Sequence, residues 1–259
     1  MSNRELFLHN NDKDISDIFD WNNFRIGHFI QKNRGKSEQN QDCLFFYGGE
    51  NYCLFGVADG VGGHAYGKEA AYTIGETLLQ YSRVTDNQNL SIIDVIEKAN
   101  KTIREKYPSG YSTLACCEIF DTEIRSYSTG DSEIQYLNSQ GKTFFHSIPH
   151  SPVGYAVAGG HLDQAESLDH EERHLVNSVI GDEHLRIEVS SSLQLKRNST
   201  VIIGSDGLFD NLSHHKISEY VSEGSFEEGF QNLVSFCQKR DENWKKDDDV
   251  SFLVLRKIK

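Results

Sequence analysis

Proline is scarce in this chain, with three residues in 259 (Pro108, Pro149 and Pro152), and they are not clustered. No Gly/Ser tract or like-charge block marks a linker either, so residues 24–259 read as one continuous domain. Long apolar runs are also missing. Met1 to about Asn23 is polar and acidic, with no stretch long enough for a signal peptide or a membrane span; it reads as a polar extension, and the protein as cytoplasmic. The five cysteines (Cys43, Cys53, Cys116, Cys117, Cys237) form no C-x-x-C pair, and their odd count suits buried, reduced thiols over disulfides or zinc ligands. Basic charge is in deficit, 26 Lys and Arg against 39 Asp and Glu, for a net charge of −13. Such a surface repels phosphate backbones and anionic lipid, which argues against nucleic acid and membrane as partners.

What the chain does carry is a series of short β-rich runs: Cys43–Phe46, Tyr52–Ala58, Ser112–Ile119, Glu123–Ser128, Glu133–Leu137, Thr143–Ser147, Leu185–Val189, Thr200–Ile203 and Val250–Leu255. Turn signals such as Phe120-Asp121 and Ser139-Gln140-Gly141 separate them, which predicts hairpins and mostly antiparallel sheets. Helical spacing places Ala70, Ala71, Ile74, Leu78 and Tyr81 on one face of Lys68–Arg83, and Ile92, Val95, Ile96, Ala99 and Ile103 on one face of Ser91–Arg104. Ser91 followed by Asp94 resembles a capping box. Further helices are predicted at Leu168–Ile180 and Ser225–Arg240. Sheets covered by amphipathic helices make an α+β sandwich, two antiparallel sheets flanked by helices in α-β-β-α layers.

The aspartates are placed where chemistry is done. Tyr52–Ala58 runs into Asp59-Gly60-Val61-Gly62-Gly63, Thr200–Ile203 runs into Gly204-Ser205-Asp206-Gly207, and Asp247-Asp248-Asp249 immediately precedes the last strand. Ser126–Thr129 leads into Gly130-Asp131-Ser132 in the same way. In antiparallel neighbours one strand's end lies beside the next one's start, so these groups can converge at one edge. Bare carboxylates sharing a site repel one another, and hard divalent cations resolve that conflict. All-oxygen ligation favours magnesium or manganese over zinc or copper. Any single Asp-Gly after a strand is commonly just a turn; it is the repetition that points to a site.

Val57-Ala58-Asp59-Gly60-Val61-Gly62-Gly63, Ser112-Thr113-Leu114, Thr129-Gly130-Asp131-Ser132, Gly204-Ser205-Asp206-Gly207-Leu208-Phe209-Asp210 and Asp248-Asp249-Val250-Ser251 together resemble the ordered motif series of type 2C serine/threonine protein phosphatases, with Asn40-Gln41-Asp42 similar to its opening motif. The resemblance spans about residues 25–256 and is to bacterial members above all. It implies two antiparallel sheets between helical layers, and removal of phosphate from phosphoserine and phosphothreonine of proteins by a water bridging two Mn2+ or Mg2+ ions. Asp59 would bridge the two ions, with the carbonyl of Gly60 on one and Asp206 and Asp248 on the other. Asp131 with Asp206 would hold a third, weaker ion, and Asp42 would orient metal-bound water. Phosphorylated proteins are the implied partners.

Four positions depart from the pattern. Gln41 replaces the acidic residue before Asp42, and Ser37 stands where a phosphate-binding arginine is expected, leaving Lys36 and Arg34 as nearby substitutes. A lysine such as Lys36 neutralises phosphate as a point charge without bidentate geometry. Val61 occupies the place of a histidine acid found in animal members, and His64 does not inherit that role by proximity. Glu133 stands where arginine often follows Gly-Asp-Ser. These departures motivate the reading of a catalytically inactive relative acting as a binding module. A separate rival is the His170-Glu171-Glu172-Arg173-His174 pentapeptide, which matches H-E-x-x-H and would make a zinc peptidase through His170, Glu171 and His174 if it were helical. Asn177 and Ile180 fail the extended zinc-peptidase pattern, and a solvated helix face accounts for the same residues. The Gly-rich stretch Gly154–Gly160 falls where the family carries a variable flap; a gating segment and a plain surface loop both fit it.

Overall fold

Most strands are short runs buried along nearly their whole length, and antiparallel pairing gathers them into two sheets. The computed structural model describes residues 3–33, 35, 39–84, 91–240 and 244–259. One sheet runs, in spatial order, β1 (Arg4–His9), β4 (Asp42–Gly48), β5 (Tyr52–Asp59), β6 (Leu114–Phe120), β7 (Glu123–Thr129) and β10 (Glu188–Val189), with β11 (Leu193–Gln194) also on β7. The other runs β2 (Ile15–Trp21), β3 (Phe24–Gln31), β13 (Val250–Lys257), β12 (Thr200–Gly204), β8 (Glu133–Leu137) and β9 (Thr143–His146).

The inner faces meet through fully buried side chains, Phe46, Phe55 and Val57 from one sheet and Ile134, Ile203 and Leu253 from the other. The outer face of the first sheet is covered by α1 (Gly67–Ser82) and α2 (Ile92–Lys106) through Ala70, Ile74, Leu78, Ile96 and Ile103. The second is covered by α6 (His214–Ser222) and α7 (Phe226–Lys239) through Ile217, Phe230 and Leu233. Each such side chain contributes about 1.5–3 kcal/mol relative to leaving it in water. The result is the expected α+β sandwich in α-β-β-α order. The capping box forms too, Ser91 accepting from the Ile93 N–H while Asp94 accepts from the Ser91 N–H. All five cysteines are buried and free.

Three expectations need correction. The polar segment 1–23 is not outside the sandwich: β1 pairs with β4 along its whole length and β2 with β3, and Phe19 and Trp21 enter the core. They are edge strands in which exposed polar residues are interspersed with the apolar ones, and that mixture disguised them. The helix expected over Leu168–Ile180 is absent; a single 3-10 turn, Glu171–His174, forms there with His170 as its N-cap. Its downstream end is claimed by the sheet edge instead, where Ile180 is bridged to Ser112 by two backbone hydrogen bonds of 2.8 and 3.0 Å. The strand expected over Leu185–Val189 is reduced to β10. The stretch from Gly154 is mostly a short helix, α3 (Pro152–Ala158), started by Ser151 accepting from the Gly154 N–H, and it is followed by α4 (Gln164–Ser167). Among the described residues no helix is long and apolar enough to cross a membrane.

Candidate metal centre and active site

The site is assembled at the edge where the ends of both sheets meet. Asp42 opens β4 and Asp59 closes β5, and the two stand directly opposite each other in the antiparallel register. The Asp59 backbone is held by Thr113, whose N–H donates to the Asp59 carbonyl at 2.8 Å and whose Oγ1 accepts from the Asp59 N–H at 3.2 Å. Gly60 follows, its N–H donating to the Gln41 carbonyl at 3.2 Å. Thr113 also lies 2.6 Å from the Ser132 hydroxyl, which draws the β7–β8 turn and Asp131 towards the same edge. Gly130 takes that turn with φ +90°, and a Cβ there would stand 2.6 Å from Cβ of Thr113, so the position requires glycine.

From the second sheet, β12 ends at Gly204, Ser205 caps the short helix α5 (Asp206–Phe209), and Asp206 is its first residue. The Ser205 hydroxyl donates to Oδ2 of Asp42 at 3.0 Å and accepts from the Ser251 N–H at 3.1 Å, joining the two sheets at the site. A Cβ on Gly207 would lie 1.9 Å from the Asp249 carbonyl oxygen, so the glycine lets α5 approach the Asp248-Asp249 segment that enters β13. Asp249 accepts backbone N–H groups from Asn33 at 2.7 Å and Gln41 at 2.8 Å, fixing that segment against the chain entering β4.

A cation is already present. The ammonium of Lys246 contacts Asp206, lies 3.1 Å from Oδ2 of Asp210 and 3.8 Å from Oδ2 of Asp248. Asn211 places it by accepting the Lys245 and Lys246 N–H groups at 2.7 and 2.9 Å. Removal from water raises Asp42 well above the usual carboxylate range, and neighbouring Asp249, Asp248 and Asp206 push it the same way. Asp59 and Asp131 are raised for the same two reasons, Asp59 by burial and then by Asp42, Asp206, Asp248 and Asp131, and Asp131 by burial and then by Asp206. Asp210 is pushed up to about 6 by burial, against the pull of Lys246. Burial alone would lower Lys246, but Asp206, Asp210 and Asp131 raise it overall. The buried Oδ1 atoms of Asp42 and Asp206 have no hydrogen-bond partner among the described residues. Orphaned, mutually repelling carboxylate oxygens gathered around an ammonium are a donor set that fits hard divalent cations.

The structure thus brings Asp42, Asp59, Gly60, Asp131, Asp206 and Asp248 to one edge. Lys36, with Arg34 and Ser37, lies outside the described residues. The H-E-x-x-H residues do not present two histidines one helical turn apart: His170 Nδ1 accepts from the Glu172 N–H at 3.1 Å, and Glu171–His174 is the 3-10 turn. Sequence reasoning missed Asp210, Asp249 and Lys246. The signal for Asp210 was its spacing four residues from Asp206; for Lys246 it was a lysine pair abutting three aspartates.

Comparison with known proteins gives the family and the fold. A family model described as Protein phosphatase 2C matches residues 31–247. A Streptococcus pyogenes protein assigned by name to the 2C type of protein phosphatase is 25% identical over 218 residues, covering 79% of this chain and 88% of that one. The fold is shared with a serine/threonine phosphatase from Staphylococcus aureus (22% identity, TM-score 0.74, covering 89% of this chain and 94% of that one). It is shared equally with a serine/threonine phosphatase from Mycobacterium tuberculosis (20% identity, TM-score 0.75, covering 91% and 99%).

Proposed function

Because the chain belongs to the protein phosphatase 2C family, we propose that it hydrolyses the phosphomonoesters of phosphoserine and phosphothreonine in proteins at the aspartate edge, using Mn2+ or Mg2+. The observation that carries this reading is the gathering of Asp42, Asp59, Asp131, Asp206, Asp210 and Asp248 at one edge, where Asp206, Asp210 and Asp248 surround a lysine ammonium. Such a set has no use in a plain scaffold, where mutual repulsion only costs stability. Asp59, the Gly60 carbonyl, Asp206 and Asp248 would hold two ions, and Asp131 with Asp206 a third. Bound, the ions supply charge that neutralises the phosphoryl oxygens and acidifies water. Asp42, anchored by the Ser205 hydroxyl through one oxygen, keeps the other free to hold and orient the attacking water. Lys36 is proposed to steady the phosphate electrostatically in place of the arginine that Ser37 replaces, so Lys36→Ala should raise KM more than it lowers kcat.

The test is hydrolysis of an aryl phosphate and of phosphothreonine peptides by chelator-stripped protein across a metal panel. Turnover with manganese or magnesium and none with the stripped protein is the expected result. Turnover that survives exhaustive EDTA, or that needs zinc alone, overturns it. Metal binding without turnover under every condition would identify an inactive relative that binds phosphoproteins.

A further inference from the structure

Beside the aspartate edge lies a second ligand cluster of different chemistry. Glu133 on β8, His146 at the end of β9 and His214 at the start of α6 offer one carboxylate oxygen and two imidazole nitrogens, all within 4.8 Å of one another. We propose that these three side chains form a Zn2+ site, distinct from the all-aspartate centre and independent of the reading given for it.

The donors suit that ion. Two imidazoles and one carboxylate are a recurring tetrahedral zinc set with one position left open, whereas magnesium and manganese prefer oxygen alone. With zinc–ligand bonds of about 2.0–2.1 Å, tetrahedral neighbours lie about 3.3 Å apart, so the cluster needs only small adjustments. The ring of His146 is already oriented: its Nδ1 lies 3.1 Å from the Ser147 carbonyl, which can only accept, so Nδ1 carries the proton and Nε2 is left as the ligand atom. A backbone carbonyl holding the non-ligating nitrogen is the usual support of a zinc-bound histidine. His214 Nε2 and Glu133 Oε2 are 2.8 Å apart, a direct contact that a shared divalent ion would replace. The two imidazoles stand face by face, with ring centroids 4.6 Å apart and a 30° tilt.

Burial makes the cluster more than a chance surface group. Glu133 and His214 are each 9% exposed, while His146 is exposed and leaves an entry for the ion. No lysine or arginine pairs with Glu133 among the described residues; its partner is His214. Gln164 of α4 contacts the other nitrogen of His214 and lines the same cleft as Asp131 and Asp210, so an ion here would tie β8, β9 and α6 together in the cleft lined by α3 and α4.

The experiment titrates Zn2+ alone into the full chain by calorimetry with Mg2+ saturating, and repeats it with Co2+ while recording the visible spectrum. One Zn2+ per chain and the intense bands of four-coordinate Co2+ are expected. His146→Ala, at an exposed position that the fold tolerates, should weaken Zn2+ by at least tenfold and abolish the bands while leaving Mg2+ affinity unchanged, and Glu133→Gln should do the same. The double variant His170→Ala/His174→Ala should change neither. No zinc binding, unaltered zinc affinity in His146→Ala, or loss of binding in the His170/His174 variant each overturns the proposal.

Discussion

Asp42 and Asp59 face each other across adjacent antiparallel strands, two carboxylates in direct register at the rim of a sheet. Like charges so placed destabilise a sheet, and removal from water raises both pKa values further. Asp59→Asn removes one charge that the whole cluster shares. Manganese affinity and turnover should collapse together, while the metal-free protein keeps its fold and melts no lower than the parent. Calorimetry, phosphate release and thermal unfolding measured side by side, with His170→Ala as a control that stays within a few-fold of parental turnover, check this. Normal turnover in Asp59→Asn would remove Asp59 from the site.

Lys246 leads to the opposite prediction. Its ammonium pairs with Asp206, Asp210 and Asp248, and on the proposed reading the ions compete with it for these carboxylates. Removing one partner of a buried charge cluster costs about 3–5 kcal/mol at most, less here because the Lys246 side chain is 19% exposed. Lys246→Gln should therefore lower the melting temperature of the stripped protein and raise Mg2+ affinity several-fold, so that the two proteins converge in stability at saturating metal. Weaker Mg2+ binding in the variant would make the lysine a supporting part of the centre and not a competitor.

Much of this centre was legible in the sequence because strand ends and glycines are local signals. Asp59 closes an apolar run, Asp206 lies two residues past the β-branched run of β12, each precedes a glycine, and Asp248 stands just before the run that becomes β13. The lysine pair beside the aspartates did not show which carboxylates Lys246 meets, since its contact with Asp206 spans forty residues and depends on Asn211 holding the loop. The helix expected over Leu168–Ile180 failed for a tertiary reason: Ile180 pairs with Ser112 and Asn177 donates to the His150 carbonyl at 2.7 Å, so backbone groups that a helix would use are spent elsewhere. β1 and β2 were missed for a local reason, as edge strands in which polar and apolar residues are nearly balanced, three of each in β1 and four apolar to three polar in β2.

His28 supplies the clearest acid-linked term away from the metal centre. It lies on β3 beside Asp17 of β2, 3% exposed, with Nδ1 unpartnered among the described residues. Burial pushes its pKa down to about 4, from 6.5 in an unfolded chain. The unfolded state then binds the extra proton between those values, so stability falls as pH drops from 6.5 towards 4, by about 3 kcal/mol. His28→Phe should flatten this limb of the curve and leave stability at pH 8 within about 1.5 kcal/mol, the usual range for a volume-conserving core change. Urea unfolding at a series of pH values measures it, and an unchanged slope in the variant would move the acid sensitivity to other groups.

Gly207 tests whether the two halves of the centre depend on close backbone approach. A methyl group there would meet the Asp249 carbonyl oxygen at 1.9 Å, far inside contact distance, and that oxygen belongs to the backbone and cannot swing away. Gly207→Ala must push α5 and the Asp248-Asp249 segment apart, at an overpacking cost of about 1–3 kcal/mol. Asp206 rides on α5 and Asp248 on the displaced segment, so their separation widens and the Lys246 bridge between them opens. The expected result is a lowered melting temperature together with a loss of Mn2+ affinity of tenfold or more. The substitution Gly49→Ala, between β4 and β5 at the end of those strands away from Asp42 and Asp59, where a Cβ meets no atom closer than 3.5 Å, should lower neither. Should Gly207→Ala lose stability but bind Mn2+ as the parent does, the positions of Asp206 and Asp248 relative to each other would not matter to the ions, and the shared use of these two carboxylates would have to be abandoned.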